Sequence, residues 1–301
     1  MLFEQIRANR RKTRLLVTVF VLLVLGIGWA IGYLFANDAY AGLMIAAVVV
    51  MFYVPITYAS ATAQVLSLSG AQEVTEDEQP ELVHIVEELA LAAGVKMPKV
   101  YVIDDPSPNA FAAGVKKDQA AIAVTRGLLE KLNREELEGV IAHEMSHIRH
   151  EDVRLMTIAI ALVGVIVLLA DIGSRLLFYG GSQDRRRDKN GSGSNPILFI
   201  VALVLLILAP LAAQFVRFAL SRNREYLADA GAVELTRNPQ GLIRALEKIR
   251  DDAHDVERAN PTTEGMYFAE PRAALRKRSS TTSWFSTHPP IEKRIERLKH
   301  M

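Results

Sequence analysis

Long apolar runs alternate with amphipathic segments along this chain. The first run, Leu15 to Phe35, is long enough to cross a bilayer and follows five basic residues within positions 7–14. A second run, Ala41 to Tyr58, comes after a short connection without Lys or Arg. Because basic residues mark the cytosolic side of a span, residues 1–60 are predicted to form a transmembrane hairpin with its N-terminus in the cytosol. Ala39-Tyr40-Ala41 resembles a signal peptidase site, but the first run is long for a signal sequence and the second follows at once.

Two more apolar runs occur in the second half of the chain. The third, Leu155 to Ala170, is short for an untilted span, so it is interpreted either as a span or as a buried core helix. The fourth, Pro196 to Val216, is long enough to span. We therefore predict a second transmembrane hairpin over residues 155–220 with a polar loop at 180–195, while the full crossing of the third run stays open.

The segments outside the apolar runs have the pattern of a soluble α+β unit. A helix is predicted from about Pro80, and strands are predicted at Lys99–Ile103, Phe111–Val115 and Ala120–Thr125. Residues 61–154 and 221–301 would form two parts of one catalytic domain, the second with helices near Asn223–Leu235, Gln240–Ala253 and Pro290–Lys299. The predicted fold class is an α+β membrane protein, mainly helical, with about four transmembrane helices and a zincin-like catalytic domain that carries a small sheet.

One predicted helix, from Asn133 to Glu151, carries the sequence HEMSH. Asn133 with Glu136 three residues later predicts a capping box at its start. His143 and His147 are four residues apart, so their side chains lie on one helix face and can share a metal ion. With only 7 His in the chain, a chance match of this kind is expected in about one chain in a hundred, and the alternative is a solvated helix with incidental histidines.

Glu144 falls inside the apolar stripe of the same helix. A carboxylate in that position is partly desolvated, which makes it more basic. This is the property that a general base needs.

A third metal ligand is predicted beyond the fourth apolar run. A catalytic zinc usually has three protein ligands and one open position. Glu225 is the candidate third ligand, and Asp229 one turn later can accept a hydrogen bond from a ligating imidazole. Acidic pairs four residues apart are common on helices, so this pair alone is weak evidence for a metal site. Its position just after the fourth apolar run makes the assignment stronger.

The two later apolar runs determine whether these ligands can meet. His147 precedes the third run and Glu225 follows the fourth, so an antiparallel hairpin would bring both to one membrane face. The same hairpin puts the basic residues of the 180–195 loop on the opposite face, against the positive-inside tendency. Either that tendency is violated locally or the third run does not cross fully.

Composition narrows the class of protein. The hydrophobic fraction of 50% is too high for an ordinary soluble enzyme of this size, and membrane spans explain the excess. The formal net charge of +1 gives no indication of a nucleic-acid partner. The absence of Cys excludes disulfides, a thiol nucleophile and Cys-ligated zinc.

The motifs HEMSH, EYLAD and THPP, together with the four apolar runs and their order, resemble the HtpX-type membrane zinc metalloproteases. These are gluzincins related to the CAAX prenyl endopeptidases, and the resemblance covers nearly the whole chain. It implies one Zn²⁺ per chain at His143, His147 and Glu225, with catalysis by Glu144. It also implies a multi-pass protein of the inner cell membrane with a cytosolic active site. Its partners would be the lipid bilayer and unfolded or misassembled membrane proteins, which it degrades in quality control and the stress response.

The resemblance implies roles for two further segments. In THPPIEKR, His288 and Arg294 would serve in catalysis near the site, where the tetrahedral oxyanion needs a further donor. His288 also fits the residue before a Pro-initiated helix. Asn109, Ala110, Phe111 and Ala112 would bind the substrate backbone by β-addition. From the residues alone, this second segment is only a turn that leads into a strand.

Two other functions share parts of this pattern. A CAAX-type prenyl protease has the same motifs but is expected to have more spans around a large chamber. A non-catalytic membrane scaffold with structural zinc would have no use for Glu144 and would close the fourth metal position. The oligomeric state is not indicated by the sequence.

Overall fold

The computed structural model describes residues 2–163, 222–252, 266–269 and 289–301. The fourth apolar run, the loop at 180–195, residues 164–170 of the third run and His288 lie outside the described residues. The described start of the third run, residues 155–163, is helical and buried inside the protein.

The chain begins with a helical hairpin made of α1 (Leu2–Ala36) and α2 (Ala39–Leu68). The turn uses Asn37 at φ 53° and the Asp38 side chain, which accepts a hydrogen bond from the backbone N–H of Ala41. Both helices are long and apolar enough to cross a bilayer, over Ile6–Tyr33 and Ala39–Leu68. Four transmembrane helices were predicted for the whole chain. Within the described part of the chain, these two helices meet the criterion for a span. Each extends beyond its predicted run because its polar end continues as helix along the soluble unit.

A four-stranded mixed sheet follows the hairpin. Its strands are β1 (Ala71–Glu73), β2 (Lys99–Ile103), β3 (Ala110–Ala113) and β4 (Ala121–Thr125), in the order β1-β2-β4-β3. The β2 and β4 strands are parallel, and the other two pairs are antiparallel. The sequence predicted β2 with these bounds and β4 to within one residue. It placed the strand at Phe111–Val115 one residue late at its start and missed β1, because three residues carry too little alternation to be recognised.

Helices cover the sheet and the rest of the described chain. They are α3 (Pro80–Ala93), α4 (Arg126–Lys131), α5 (Arg134–His150), α6 (residues 152–163), α7 (Arg222–Thr236), α8 (Pro239–Asp251) and α9 (Ile291–Leu298). The predicted capping box is present at α5, since Asn133 and Glu136 each accept a hydrogen bond from the other's backbone N–H. The sequence therefore identified the start of the helix that carries HEMSH.

Two apolar clusters lie on opposite faces of the sheet. One packs β2 and β4 against α3, α5 and α8 through residues such as Ile122, Val140 and Leu246. The other packs β3 and α6 against the membrane hairpin through residues such as Leu16 and Phe111. The α5 helix packs in the first cluster and continues, after one residue, into α6, which packs in the second cluster against the membrane hairpin. The HEMSH helix therefore connects the soluble unit to the membrane hairpin.

Candidate metal centre

The two histidines of HEMSH lie at the buried end of α5. His143 is fully buried, and the Nε2 atoms of His143 and His147 are 3.1 Å apart. Their ring planes are nearly perpendicular, with centroids separated by 4.7 Å. Two imidazoles on one helix face therefore present their Nε2 atoms to the same point.

The α7 helix brings Glu225 to that point. Its carboxylate oxygens lie 3.6 Å from Nε2 of His143 and 3.7 Å from Nε2 of His147. The close approach of α7 to α5 depends on Gly231, where a Cβ would stand only 2.9 Å from the Cβ of Ser146. The structure thus brings together the three predicted ligands, although Glu225 is far from the histidines in sequence.

The donor set fits a tetrahedral divalent metal. Ligand atoms bound to zinc at 2.0–2.1 Å in tetrahedral geometry are about 3.3 Å from one another. The two Nε2 atoms are 3.1 Å apart. One carboxylate oxygen of Glu225 lies 3.6 Å from Nε2 of His143, and the other lies 3.7 Å from Nε2 of His147. Two neutral imidazoles and one carboxylate are also the ligand types of a catalytic zinc site, with a fourth position left for water.

Each imidazole of the predicted ligand set is held by a second carboxylate. Nδ1 of His143 lies 2.9 Å from Asp229, and Nδ1 of His147 lies 2.9 Å from Asp152. A carboxylate at Nδ1 fixes the proton there and leaves Nε2 to bind metal. Asp229 is where the sequence placed it.

Sequence reasoning missed Asp152. The α5 helix ends at His150, and the φ of 57° at Glu151 turns the chain back so that Asp152 faces His147. An acidic residue directly after an HExxH helix was the available signal.

The carboxylates change the pKa values of the groups around them. Burial alone would lower the pKa of His147, but Asp152, Glu225 and Glu144 raise it to about 10. Burial alone would raise the pKa of Asp229, but Arg294 and His143 keep it below its usual value. Negative charge at the ligand atoms favours a bound dication, which must displace the proton of His147 on binding.

Glu144 is buried beside the metal ligands, with only 2% of its surface exposed. Burial raises its pKa above the usual value, while the neighbouring histidines and a hydrogen bond from the backbone of Ala112 act in the opposite direction. The carboxylate is therefore oriented by β3 and made more basic by its surroundings.

Arg294 lies behind the metal ligands and is fully buried. Its guanidinium donates to both oxygens of Asp229, at 2.6 and 3.0 Å, and to the carbonyl of Phe268 at 3.0 Å. These bonds direct it to the carboxylate that holds His143. A bidentate pair of this kind positions a histidine rather than a reacting atom.

The predicted substrate strand borders the same cleft. Ala112 lines this cleft together with Glu144, Met156 and Tyr267. Asn109 and Ala110 form hydrogen bonds with residues 266–269, and the ring of Phe111 packs on Tyr267.

A buried HExxH helix, with a third carboxylate ligand from a second helix and a carboxylate behind each histidine, defines a gluzincin-type metallopeptidase site. The chain belongs to peptidase family M48, whose model matches residues 76–301. It is 52% identical to two proteins named Protease HtpX homolog, from Listeria monocytogenes serotype 4a (strain HCC23) and Ligilactobacillus salivarius (strain UCC118), over 100% of both chains in each case. The crystal structure of S. mikatae Ste24p matches 98% of this chain and 67% of its own, at 20% identity and a TM-score of 0.47. The predicted family and the prediction of a membrane metalloprotease are thereby confirmed.

Proposed function

We propose that this protein is a zinc-dependent endopeptidase that hydrolyses peptide bonds of misfolded or damaged membrane proteins at the cytosolic face of the inner cell membrane. The observation that carries the proposal is the position of Glu144, a buried carboxylate beside three converging ligand atoms. A structural metal site has no need of such a carboxylate.

Zinc is the metal that the ligands favour. His143, His147 and Glu225 would hold it, and a His₂Glu set without sulfur is a common catalytic zinc site. When bound, the ion would polarise a water molecule and the scissile carbonyl.

The protein's own residues supply the proton transfers. Glu144 accepts the proton of the attacking water and delivers it to the amine nitrogen that leaves. The backbone N–H of Ala112 holds this carboxylate in place. Since no side chain forms a bond to the substrate, the hydrolysis has no covalent enzyme intermediate.

The polar groups behind the ligands keep the imidazoles in one orientation. Asp152 and Asp229 hold Nδ1 of the two histidines, and Arg294 neutralises Asp229 inside the protein. A third contribution, from His288, rests on the family resemblance.

The membrane hairpin supports a cytosolic active site. The start of α1 touches the end of α5, where Asn9 donates to the carbonyl of His150 and Arg10 forms a bidentate pair with Glu151. Because the basic end of a first span lies in the cytosol, the helix that it contacts lies there too. Further along the hairpin, large apolar side chains are exposed in a way that suits lipid, among them Leu22, Trp29, Ile45, Phe52 and Ile56. We propose a second hairpin over residues 155–220.

The choice of substrate distinguishes the proposed function from that of a CAAX-type prenyl protease. The full-length, zinc-loaded protein in liposomes would receive one membrane protein in folded and misfolded forms and, separately, a prenylated C-terminal peptide. We expect the misfolded form to be cut at least on the order of tenfold faster, because only an unfolded segment enters a cleft as an extended chain. Equal rates for the two forms would contradict the proposal, and efficient cleavage of the prenylated peptide alone would favour the CAAX-type function.

A further inference from the structure

Four residues, Met266 to Ala269, lie against the outer edge of β3, and the first three of them line the metal cleft. We call this segment the strap. The backbone N–H of Phe268 donates to the carbonyl of Ala110 at 2.8 Å. The Asn109 side chain donates to the carbonyl of Ala269 at 2.9 Å and accepts from its N–H at 3.1 Å. One backbone bond to β3 and two bonds to the side chain just before it thus hold the strap at this edge.

The strap occupies a specific part of that edge. Asn109 uses its carbonyl to bond Thr125 of β4, so the groups of Ala110 and Ala112 face outward in the alternating antiparallel pattern. The carbonyl of Ala110 is taken by the strap, and the N–H of Ala112 faces Glu144. Just beyond β3, the N–H of Gly114 donates a hydrogen bond to the hydroxyl oxygen of Thr157. The strap therefore covers the edge at which substrate is proposed to add.

Two aromatic side chains of the strap pack against His143 and β3. The ring of Phe268 stands perpendicular to the imidazole of His143 with centroids 5.0 Å apart, and Tyr267 stands perpendicular to Phe111 at 5.4 Å. Both aromatic residues are at most 1% exposed. The strap is consequently packed on a proposed metal ligand.

Most of the groups that hold the strap form hydrogen bonds with its backbone rather than with its side chains. The amide of Asn109, the carbonyl of Ala110 and the guanidinium of Arg294 all bond to peptide N–H or C=O groups of the strap. Any extended peptide offers the same groups. If the strap left without a replacement, the buried Asn109 and Arg294 would lose these partners, which is unfavourable. A second peptide backbone would restore them.

We propose that the strap is an internal pseudosubstrate, which occupies the substrate edge of β3 in cis and is displaced when an extended substrate segment binds. This inference rests on the proposed function, because it concerns the same cleft. Occupation in cis lowers the apparent affinity for substrate by the fraction of molecules whose edge is free. Chains that bind the edge of β3 weakly therefore do not displace the strap and are cleaved slowly.

The test measures binding without turnover, so that it is independent of catalysis. Zinc-loaded full-length Glu144→Gln protein is compared with the same protein carrying Phe268→Ala or, separately, Ala269→Pro. The first change removes the ring that packs on His143, and the second removes the N–H that Asn109 accepts. The probe is fluorescently labelled, permanently unfolded casein, and bound zinc is quantified for every variant. Lys293→Ala, at an exposed position on α9, is the matched control.

We expect both strap variants to bind the probe on the order of tenfold more tightly than the Glu144→Gln parent and the control to bind like the parent. The peptide acetyl-Met-Tyr-Phe-Ala-amide should compete with the probe in the strap variants. The reordered peptide acetyl-Phe-Met-Ala-Tyr-amide offers the same backbone groups but not the ring positions of Tyr267 and Phe268, so it should compete less. Unchanged or weaker binding in both variants would overturn the proposal. Loss of zinc from both would make the strap a fixed part of the metal centre, which would also overturn it. If the wild-type protein cleaves nothing but the strap variants bind more tightly, the proposed function fails and the occupancy of the cleft stands.

Discussion

The carboxylate of Asp152 lies 2.9 Å from Nδ1 of His147, one residue beyond the left-handed turn that ends the HEMSH helix. Asp229 stands in the same relation to His143 but comes from α7. Two carboxylates from different parts of the chain therefore hold the imidazoles of the two proposed metal ligands in the same way.

This arrangement predicts the effect of neutralising either carboxylate. Asp152→Asn and Asp229→Asn should each weaken zinc binding by about 10–100-fold, because the imidazole loses the partner that fixes its proton at Nδ1. Competition with a chelator of known affinity measures the change. Asp251→Asn, on the surface of α8, is the control and should bind zinc like the wild type. Wild-type affinity in Asp152→Asn would contradict the role given to that residue.

Arg294 should matter for stability as well as for the site. Removing a buried partner from an ion pair leaves the other charge unpaired, so Arg294→Ala should lower the free energy of unfolding by about 3–5 kcal/mol. Asp229→Asn in the same protein should recover part of that loss, since it removes the unpaired charge. Unfolding in detergent, followed by circular dichroism, gives both values. A loss below about 1 kcal/mol would mean that the pair is solvated.

The membrane hairpin is predicted to dock mainly by apolar packing. Leu16 is 2% exposed within the cluster that joins α1 to α6 and the sheet, so Leu16→Ala should cost about 2–5 kcal/mol. Arg10 pairs with Glu151, but its side chain is 54% exposed, so Arg10→Ala should cost less than about 1 kcal/mol. The same unfolding experiment compares the two variants. The reverse order would show that the ion pair, rather than the packing, holds the hairpin.

The sequence was most informative where a signal is local and repeated. The spacing of His143 and His147, the capping box at Asn133 and the bounds of β2 all depend on residues close together in the chain. Glu225 was found because the apolar runs indicated which distant segments meet.

Other features had a weak local signal or none. The position of Asp152 depends on a single residue in a left-handed conformation, and many residue types occur at a helix end. The bonds from Asn109 and Ala110 to the strap join segments about 160 residues apart, and the backbone groups that make them are the same in every sequence. Such pairings become visible only after the chain has folded.

The general base is the central claim, and one comparison tests it most directly. Cleavage of casein and of a misfolded membrane protein is measured for zinc-loaded wild-type protein and for Glu144→Gln, with bound zinc quantified in both. We predict that Glu144→Gln keeps one zinc per chain and that its kcat falls by about 10²–10⁴-fold, because the ligands remain and the proton acceptor is lost. Cleavage by Glu144→Gln at the wild-type rate, or no cleavage by a wild-type protein that holds stoichiometric zinc, would contradict the account.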